Sequence, residues 1–352
     1  MPLPLVFVRD GHGWLGEGAV RRGDFRGPEL YAAARAWWGR LAAEDPSAVA
    51  FGSFPFDPRS PAGASLLVPQ RAVRVEGVLP RLGVAPLPTA RVREGAMTAA
   101  AYQAAVAAAA AEIAAGSVQK VVLARDVIVD PDGPVDAGAL LDALHAAHPD
   151  TSVFGVDGLF GASPETLITV HEGRVTARVL AGTAASGAGT SLLNSAKDVA
   201  EHAFAVDSVL DALRPHLADL AWSREPYVLE LPHLSHLATD VAGRIADGTD
   251  VLALVEALHP TAAVAGTPTP VAMARIRALE AVDRGRYAGP VGWMNARGDG
   301  EWAIALRCAQ LGQDGRFRAF AGAGVMAESD PAAELAETEL KLRPILDALR
   351  AP

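Results

Sequence analysis

The sequence is short of cysteine, of aromatic residues and of long uncharged apolar runs, and each shortage excludes a class of protein. Cys308 is the one cysteine in 352 residues, so neither a disulfide framework nor a thiolate metal site can form. The longest apolar run, near residues 99–115, is mostly alanine and is interrupted by polar residues, so it is too weak and too short to span a bilayer. The apolar N-terminal stretch ends at Arg9 and Asp10, which predicts no secretory signal. We therefore expect a cytoplasmic protein with no membrane segment.

The charge pattern argues against nucleic-acid binding. The formal net charge is -10, and no block of like charges occurs along the chain. Such a surface repels polyanions, and an acidic balance is also common in ordinary soluble proteins. An enzyme that binds an anionic substrate would need local positive charge in its pocket. Because apolar residues make up 50% of the chain, we expect a globular protein of one large domain or two intimate ones.

Hairpins outnumber strand–helix–strand units in the sequence pattern. Strand-like segments turn at Glu172-Gly173 and again at residues 313–315. Helical patterns cover residues 98–115, 195–217 and 331–349, the last with proline in its first turn. This mixture predicts an α+β protein with largely antiparallel sheets and helices packed outside, not a doubly wound parallel sheet.

Two motifs are deceptive. Residues 11–16 match GxGxxG after a strand-like run, but residues 17–26 are too rich in glycine and charge to form the helix that a dinucleotide site requires. His233 and His236 have an HxxH spacing, but on a strand they would point to opposite faces. Structural or substrate-facing roles suit these histidines better than metal binding.

Two strands place a charged side chain where a ligand could reach it. Lys120 opens an apolar strand, as either a solvated edge residue or a desolvated general base. On a strand over residues 301–310, Arg307 shares a face with two alanines, which suits a carboxylate clamp or a structural ion pair. Glycines in the nearby AGAG segment, Gly322 and Gly324, suit either a close approach to an anion or an ordinary tight turn.

Two helices carry carboxylates away from their apolar stripes. Glu334, Glu337 and Lys341 recur along one face of the last helix, and Glu201 belongs to a similar polar set on the helix over 195–217. Acidic residues near a helix start usually complement the helix dipole. Carboxylates from two helices could instead share a hard cation, which means Mg²⁺. Sequence spacing alone does not place the two helices face to face.

Ten sequence blocks occur in an order that is typical of one enzyme family. From about residue 99 to residue 349 they read KVVLAR, GASPETL, LAGT, KDVAEH, HLATDVAG, LHPTAAVAGTP, YAGPVGW, GDGEWAIALRCA, AGAGV and SDPAAELAETELKL. In these blocks the chain resembles the chorismate-utilising enzymes, namely the isochorismate, salicylate, anthranilate and aminodeoxychorismate synthases. The resemblance implies stacked antiparallel sheets and a site that binds chorismate. It divides the chain into a variable N-terminal part, 1–95, and a catalytic core, 96–352.

The resemblance also implies roles for thirteen residues. Lys120 resembles the base that activates water, and Glu165 resembles the acid that protonates the departing hydroxyl. The residues that resemble Mg²⁺ ligands are Glu201, Glu337 and Glu334, the last binding directly or through water. The residues that resemble the substrate pocket are Gly182, Thr183, His236, Tyr287, Arg307, Gly322, Gly324 and Lys341, with Arg307 as the carboxylate clamp.

Two positions distinguish the members of the family. Anthranilate synthases typically carry glutamine where Lys120 stands, and aminodeoxychorismate synthases carry a nucleophilic lysine where Ala181 stands. The resemblance therefore implies an isochorismate synthase, which serves menaquinone or siderophore biosynthesis. The alternatives are a salicylate synthase, which goes on to eliminate pyruvate, and a non-catalytic chorismate-binding subunit. We expect a monomer that needs no glutaminase subunit.

Overall fold

The computed structural model describes residues 3–185, 187, 189–230 and 234–350, without the side chains of residues 19, 181, 183–185, 197, 198, 201 and 234. The chain forms two compact units. The first contains Met1–Glu165, Pro260–Ala296 and Ala303–Pro352, and the second contains Thr166–His259 and Arg297–Trp302. Within the described ranges, none of the helices combines the length and apolar character needed to cross a bilayer.

Eighteen strands and eight α-helices are assigned in the described part of the chain. The strands are β1 Leu5–Arg9, β2 His12–Phe25, β3 Val49–Ser53, β4 Ala64–Glu76, β5 Ala90–Glu94, β6 Lys120–Pro131, β7 Ser152–Val156, β8 Leu159–Ser163, β9 Thr166–His171, β10 Arg174–Ala185, β11 Leu217–Trp222, β12 Tyr227–Glu230, β13 Leu234–Ile245, β14 Gly266–Thr267, β15 Pro290–Asn295, β16 Gly300–Ile304, β17 Cys308–Leu311 and β18 Phe317–Val325. The helices are α1 Leu30–Glu44, α2 Ala99–Ala114, α3 Ala137–Ala147, α4 Gly189–Asn194, α5 Ala196–Leu213, α6 Val251–Leu258, α7 Thr269–Leu279 and α8 Pro331–Ala348.

The first unit is built on one antiparallel sheet. Its strands pair in the order β15–β3–β4–β2–β1–β7–β8–β17–β18–β6. The other edge of β6 pairs with β14 at its start and with β5 at its end. Strand β6 therefore lies between β18 and two short strands, and it begins at Lys120.

Helices α2, α3 and α8 pack against this sheet and form part of its core. The apolar stripe of α8, with Leu342, Ile345 and Leu346, is buried together with residues of α3, β6 and β18. The side chain of Asp330 caps α8 by accepting hydrogen bonds from the backbone N–H groups of Ala332 and Ala333. Burial of the stripe leaves the polar face of α8 on another side of the helix.

The second unit is a smaller antiparallel sheet with helices of its own. Strand β10 pairs with β9 and β13, and β13 also pairs with β11 and β12. The β9–β10 hairpin turns at Glu172 and Gly173, both with positive φ angles of 50° and 74°. This turn lies where the sequence predicts it, and Gly173 suits it because glycine adopts this backbone region without strain.

The fold class predicted from the sequence is confirmed. All the strand pairings given above are antiparallel, and helices 98–115 and 331–349 lie where they are expected, within a residue or two. The GxGxxG segment contains no helix: Gly11 lies in a turn and Gly13 lies in β2. The helix expected over 195–217 ends earlier, at Leu213, and Leu217 begins β11.

The prediction of one continuous strand over residues 301–310 is wrong. Strand β16 ends at Ile304 and β17 begins at Cys308, so Arg307 lies in the connection between them. Arg307 has a φ of 50°, which is rare for a residue with a side chain. Regular alternation therefore does not place Arg307 on a shared face with Ala303 and Ala305.

Candidate active site

Lys120 lies at the first position of β6, with its side chain against β18. A Cβ added at Gly324 would lie 3.0 Å from Lys120 Cε and 3.7 Å from Nζ. The glycine thus leaves room for the lysine side chain on this face of the sheet. Lys120 is half-buried, and its neighbour in β14 is Thr267.

Glu165 lies two residues after the end of β8, and hydrogen bonds to Ser163 and Ile304 fix its backbone. The Ser163 hydroxyl donates to the carbonyl of Ile304 at 2.6 Å and accepts from the Glu165 N–H at 3.2 Å. The N–H of Ile304 in turn donates to the Glu165 carbonyl at 3.0 Å. These bonds hold both the N–H and the carbonyl group of Glu165.

The carboxyl group of Glu165 holds its proton more tightly than an ordinary glutamate does. Burial raises the pKa of Glu165, and this effect outweighs the opposing positive charges of Arg307, Lys120 and Lys341, in that order. The charges of these three cations therefore all act on one carboxyl group. A raised pKa is what a general acid requires, because it must carry a proton at the operating pH.

Arg307 presents its guanidinium to this group of charges. Burial lowers the pKa of Arg307, and Tyr287, Glu165 and Glu337 oppose that shift. Within the part of the chain that the structure describes, the guanidinium forms no hydrogen bond or ion pair, so the structural ion pair considered from the sequence has no carboxylate at bonding distance. Its fork remains available to a ligand carboxylate.

Tyr287 is 6% exposed and its ring stacks on Phe320, with centroids 5.3 Å apart and an interplanar angle of 14°. Burial raises the pKa of Tyr287 to about 12, against the lowering effects of Arg284 and Arg307. The phenol therefore keeps its proton and serves as a neutral hydrogen-bond donor near Arg307.

The polar face of α8 carries the carboxylates and a lysine. Glu334 accepts a hydrogen bond of 2.7 Å from the Ser329 hydroxyl, and Glu337 forms an ion pair of 2.5 Å with Lys341. Burial raises the pKa of Glu334, and the negative charge of Glu337 raises it further, while Ser329 and Lys341 lower it. Two mutually repelling carboxylates one helical turn apart suit a shared cation.

Gly322 and Gly324 lie inside β18, so the tight turn considered for them is wrong. The backbone carbonyl of Gly322 accepts a hydrogen bond of 2.9 Å from Lys341 Nζ. A Cβ at Gly322 would lie 2.8 Å from the carbonyl oxygen of Leu123 on the paired strand. Gly322 therefore lets β18 approach the backbone of β6 closely, and Gly324 leaves room for the Lys120 side chain.

The second unit holds Gly182, Thr183 and His236. Strand β10 bulges between Ala181 and Thr183, where Gly182 has a φ of 76°. Thr183 is the register partner of His236 on β13, and His236 Nδ1 lies 3.3 Å from the carbonyl oxygen of Gly182. The bulge brings these three residues of LAGT and HLATDV together. The side chain of Thr183 lies outside the described residues.

Glu201 lies on α5 in the second unit, and its side chain is outside the described residues, as is His233. Among the side chains that are described, no group of three or more histidine, cysteine, aspartate or glutamate residues could hold a metal. Glu334 and Glu337 supply two carboxylates of the expected set. Their oxygen donors and mutual repulsion fit a hard divalent cation.

Sequence reasoning missed the residues that hold the site in place. Arg125, 5% exposed, donates from Nε to Thr338 Oγ1 at 2.8 Å and so ties β6 to α8. Ser163 fixes Glu165, as described above. A signal for Arg125 was available, since an arginine on the buried face of an apolar strand needs a partner.

The acid, the guanidinium, the two lysines and the paired carboxylates are groups that can bind a small anion and exchange protons with it. Residues 83–350 match the family model described as chorismate binding enzyme. The chain belongs to this family of chorismate-binding enzymes.

Relatives of known name give the same family. A Mycobacterium tuberculosis protein with the provisional name isochorismate synthase MenF is 40% identical over 324 residues, which is 86% of each chain. The isochorismate synthase EntC of Escherichia coli K12 is 36% identical over 317 residues, covering 85% of this chain and 80% of EntC. A crystal structure from Bacillus anthracis, provisionally described as a 2,3-dihydroxybenzoate-specific isochorismate synthase DhbC, has a TM-score of 0.85 at 32% identity, covering 99% of this chain and 96% of that one.

Proposed function

We propose that this chain is an isochorismate synthase, which adds water at C2 of chorismate and expels the C4 hydroxyl. The proposal is carried by one carboxyl group, Glu165, whose pKa burial raises and on which the charges of Arg307, Lys120 and Lys341 act. Relatives over most of the chain length bear the same activity in their names. The acid and base positions described above suit a reaction that needs one of each.

In the proposed reaction Lys120 acts on the attacking water, and Glu165 acts on the departing hydroxyl. Lys120 first releases its own proton to solvent, and its amine then takes a proton from water as the oxygen forms its bond to C2. The ring double bonds shift, the C4–O bond breaks, and Glu165 donates its proton to the departing hydroxyl, which leaves as water. One water enters and one leaves, so the reaction is an isomerisation. Lys120 ends protonated and Glu165 ends ionised, and exchange with solvent restores both.

Arg307 holds a substrate carboxylate in this scheme. Its guanidinium offers two parallel N–H donors and has no carboxylate partner within the described residues. Tyr287, whose pKa is raised to about 12, adds a neutral donor close enough for the charge of Arg307 to act on it. Lys341 is fixed by Gly322 and Glu337 and supplies a further positive charge. Positioning by these groups reduces the entropy cost of the reaction.

Glu334, Glu337 and Glu201 would hold Mg²⁺. When bound, Mg²⁺ supplies a positive charge that neutralises the ring carboxylate of chorismate and orients the substrate. The partly buried Glu334 and the adjacent Glu337 support this assignment, since both offer the oxygen ligands that Mg²⁺ prefers. Gly182, Thr183 and His236 are also proposed as substrate-binding residues.

Incubation with chorismate and Mg²⁺, followed by chromatographic separation of the products, tests the proposal. We expect isochorismate in equilibrium with chorismate. Salicylate and pyruvate as the main products would reassign the chain to the salicylate synthases. No turnover with Mg²⁺ present would support a chorismate-binding subunit without activity.

The proposal includes a monomer in the cytoplasm that needs no glutaminase, because water and not ammonia is the nucleophile. Size-exclusion chromatography coupled to light scattering measures the mass directly. Turnover by the isolated chain, unchanged by added glutamine or ammonia, is the expected result. The product serves menaquinone or siderophore synthesis, and the neighbouring genes distinguish these two uses.

A further inference from the structure

The edge of β6 beside the proposed base is incompletely covered by strands. Strand β14 pairs with Lys120 and Val121, and the N–H of Val122 donates to the carbonyl of Ala265 at 2.9 Å. Strand β5 pairs with this edge only from Val127 onward. Between these two strands, the Val122 carbonyl and the Ala124 N–H face a side with no strand partner.

A buried ion pair occupies that gap. Glu280 and Arg284 have side chains that are each 2% exposed. Glu280 Oε1 accepts a hydrogen bond of 2.8 Å from the Ala124 N–H, and Arg284 Nη2 donates to the Val122 carbonyl at 2.7 Å. The pair therefore makes the two backbone hydrogen bonds that a neighbouring strand would have made.

Arg284 is nearly saturated with partners. Its Nε donates to Glu280 Oε2 at 2.9 Å, its Nη1 donates to the Val264 carbonyl at 3.0 Å, and its Nη2 serves both Glu280 and Val122. Its guanidinium also lies 4.2 Å from the ring centroid of Phe56. The bond to Val264 fixes the segment that leads into β14, the other neighbour of Lys120.

A buried ion pair is weak evidence for stability, because removing two charges from water costs much of what their attraction returns. Burial indeed raises the pKa of Glu280 in spite of the adjacent Arg284. Well-packed apolar residues could fill the same volume, but they could not bond to the backbone of β6. The contacts of this pair therefore point to a positional role.

We propose that Glu280 and Arg284 are positioning residues that fix the backbone of β6 and thereby aim the Lys120 amine at the substrate. This inference rests on the proposed function of Lys120 as the base. Neither residue reaches the reacting atoms in this account. Both act through Val122 and Ala124, which follow Lys120 on the same face of β6.

Arg284→Lys tests the proposal, because lysine keeps the charge but lacks the planar fork that reaches three partners. Displacing a catalytic group by about 1 Å can cost about a hundredfold in rate. We expect kcat to fall between about tenfold and about a hundredfold, with KM changing much less. Arg277→Lys is the matched control, because Arg277 on α7 is a neighbouring arginine that pairs with Asp57 and not with the backbone of β6. Its kcat should equal that of the parent protein.

A second measurement does not depend on turnover. The chain has three lysines, Lys120, Lys197 and Lys341. After reductive ¹³C-methylation, the Lys120 signal can be assigned by its loss in Lys120→Ala. In Glu280→Gln, which keeps the shape but loses the ion pair, we expect the Lys120 signal to shift or broaden while the Lys197 signal stays in place.

The outcomes distinguish failure of the proposed function from failure of the positioning role. An inactive parent protein contradicts the proposed function, and the lysine spectrum still tests the positioning. An active parent protein with unchanged kcat in Arg284→Lys and an unchanged Lys120 signal in Glu280→Gln overturns the positioning role. A lower Tm in the Arg284 variant with full kcat per folded molecule also overturns it, because the pair would then only stabilise the fold.

Discussion

At the scale of single residues, Glu165 links the proposed chemistry to the stability of the folded chain. Burial raises its pKa above the usual value of 4.5. The stabilisation associated with its proton is therefore complete below the unfolded-state pKa and is lost as the pH rises through the folded-state pKa. A group that is tuned to give up a proton in catalysis thus carries a cost for folding at higher pH.

Glu165→Gln should remove that cost. Because glutamine does not ionise, we expect the Tm of the variant to match the parent below pH 4.5 and to exceed it increasingly as the pH rises through the raised pKa. Scanning calorimetry over a pH series measures this, with the exposed Glu29→Gln as a baseline. A Tm difference that is the same at every pH would contradict the prediction.

Lys120→Ala should lose turnover and keep binding. A general base contributes about 10²–10⁴-fold to the rate, so kcat should fall by that factor with KM largely unchanged. Steady-state kinetics with chorismate give both quantities. Arg91→Ala, which removes an 84% exposed cation from the adjacent β5, should leave kcat unchanged. Full activity in the Lys120 variant would reject this lysine as the base.

At the scale of elements, α8 joins the apolar core to the proposed metal site. Its apolar stripe is buried while Glu334, Glu337 and Lys341 lie on another face, so the helix fixes the direction of the carboxylates. The bond between Arg125 and Thr338 ties the same helix to the strand that carries Lys120. The position of α8 relative to β6 is therefore fixed by direct packing and hydrogen bonding.

Glu337→Gln should weaken Mg²⁺ binding, since one carboxylate ligand becomes neutral. We expect the rise in Tm that Mg²⁺ produces to require at least about tenfold more metal than in the parent protein, in line with loss of one charged ligand. The metal titration monitors Tm and needs no substrate. Asp347→Asn on the same helix, where the aspartate side chain is 64% exposed, serves as the control. An unchanged Mg²⁺ response would exclude Glu337 as a ligand.

The bulge in β10 depends on glycine at position 182. Gly182 has a φ of 76°, where a side chain costs about 1–2 kcal/mol. Gly182→Ala should therefore lower the free energy of unfolding by about that amount, as measured by urea denaturation. Gly39→Ala is a control of opposite sign: Gly39 lies in α1 with open space around its Cα, so alanine should stabilise the helix by about 0.5–1 kcal/mol. A stabilised Gly182 variant would show that the bulge does not need glycine.

At the scale of the whole molecule, the sequence predicts the fold class, the hairpin at residues 172–173 and the limits of α2 and α8. These features are local, because caps, turns and apolar stripes act within a few residues. Strand β2 was missed because its glycines and arginines hide the alternation, and its register shifts between Glu17 and Val20. The pairings of β1 with β7 and β3 with β15 join distant segments, which one sequence does not specify.

In the candidate site, too, local motifs predict some features, and others depend on tertiary contacts. Motif blocks name Lys120, Glu165, Arg307 and the α8 carboxylates, and the first unit brings these residues of distant blocks into electrostatic contact. The positive φ of Arg307 and the bonds from Glu280 and Arg284 to the backbone of β6 depend on tertiary contacts that no local pattern reveals. The division into 1–95 and 96–352 and the roles of the thirteen site residues stay predictions.

Turnover of chorismate in H₂¹⁸O with Mg²⁺ tests the central claim, that water attacks C2 under the action of Lys120 while Glu165 releases the C4 hydroxyl. The account predicts isochorismate that carries one solvent oxygen, at the C2 hydroxyl, with no label elsewhere in the product at early times. Isochorismate without ¹⁸O would mean that the original hydroxyl migrates within the substrate. That result, or the absence of isochorismate, would contradict the mechanism proposed for this chain.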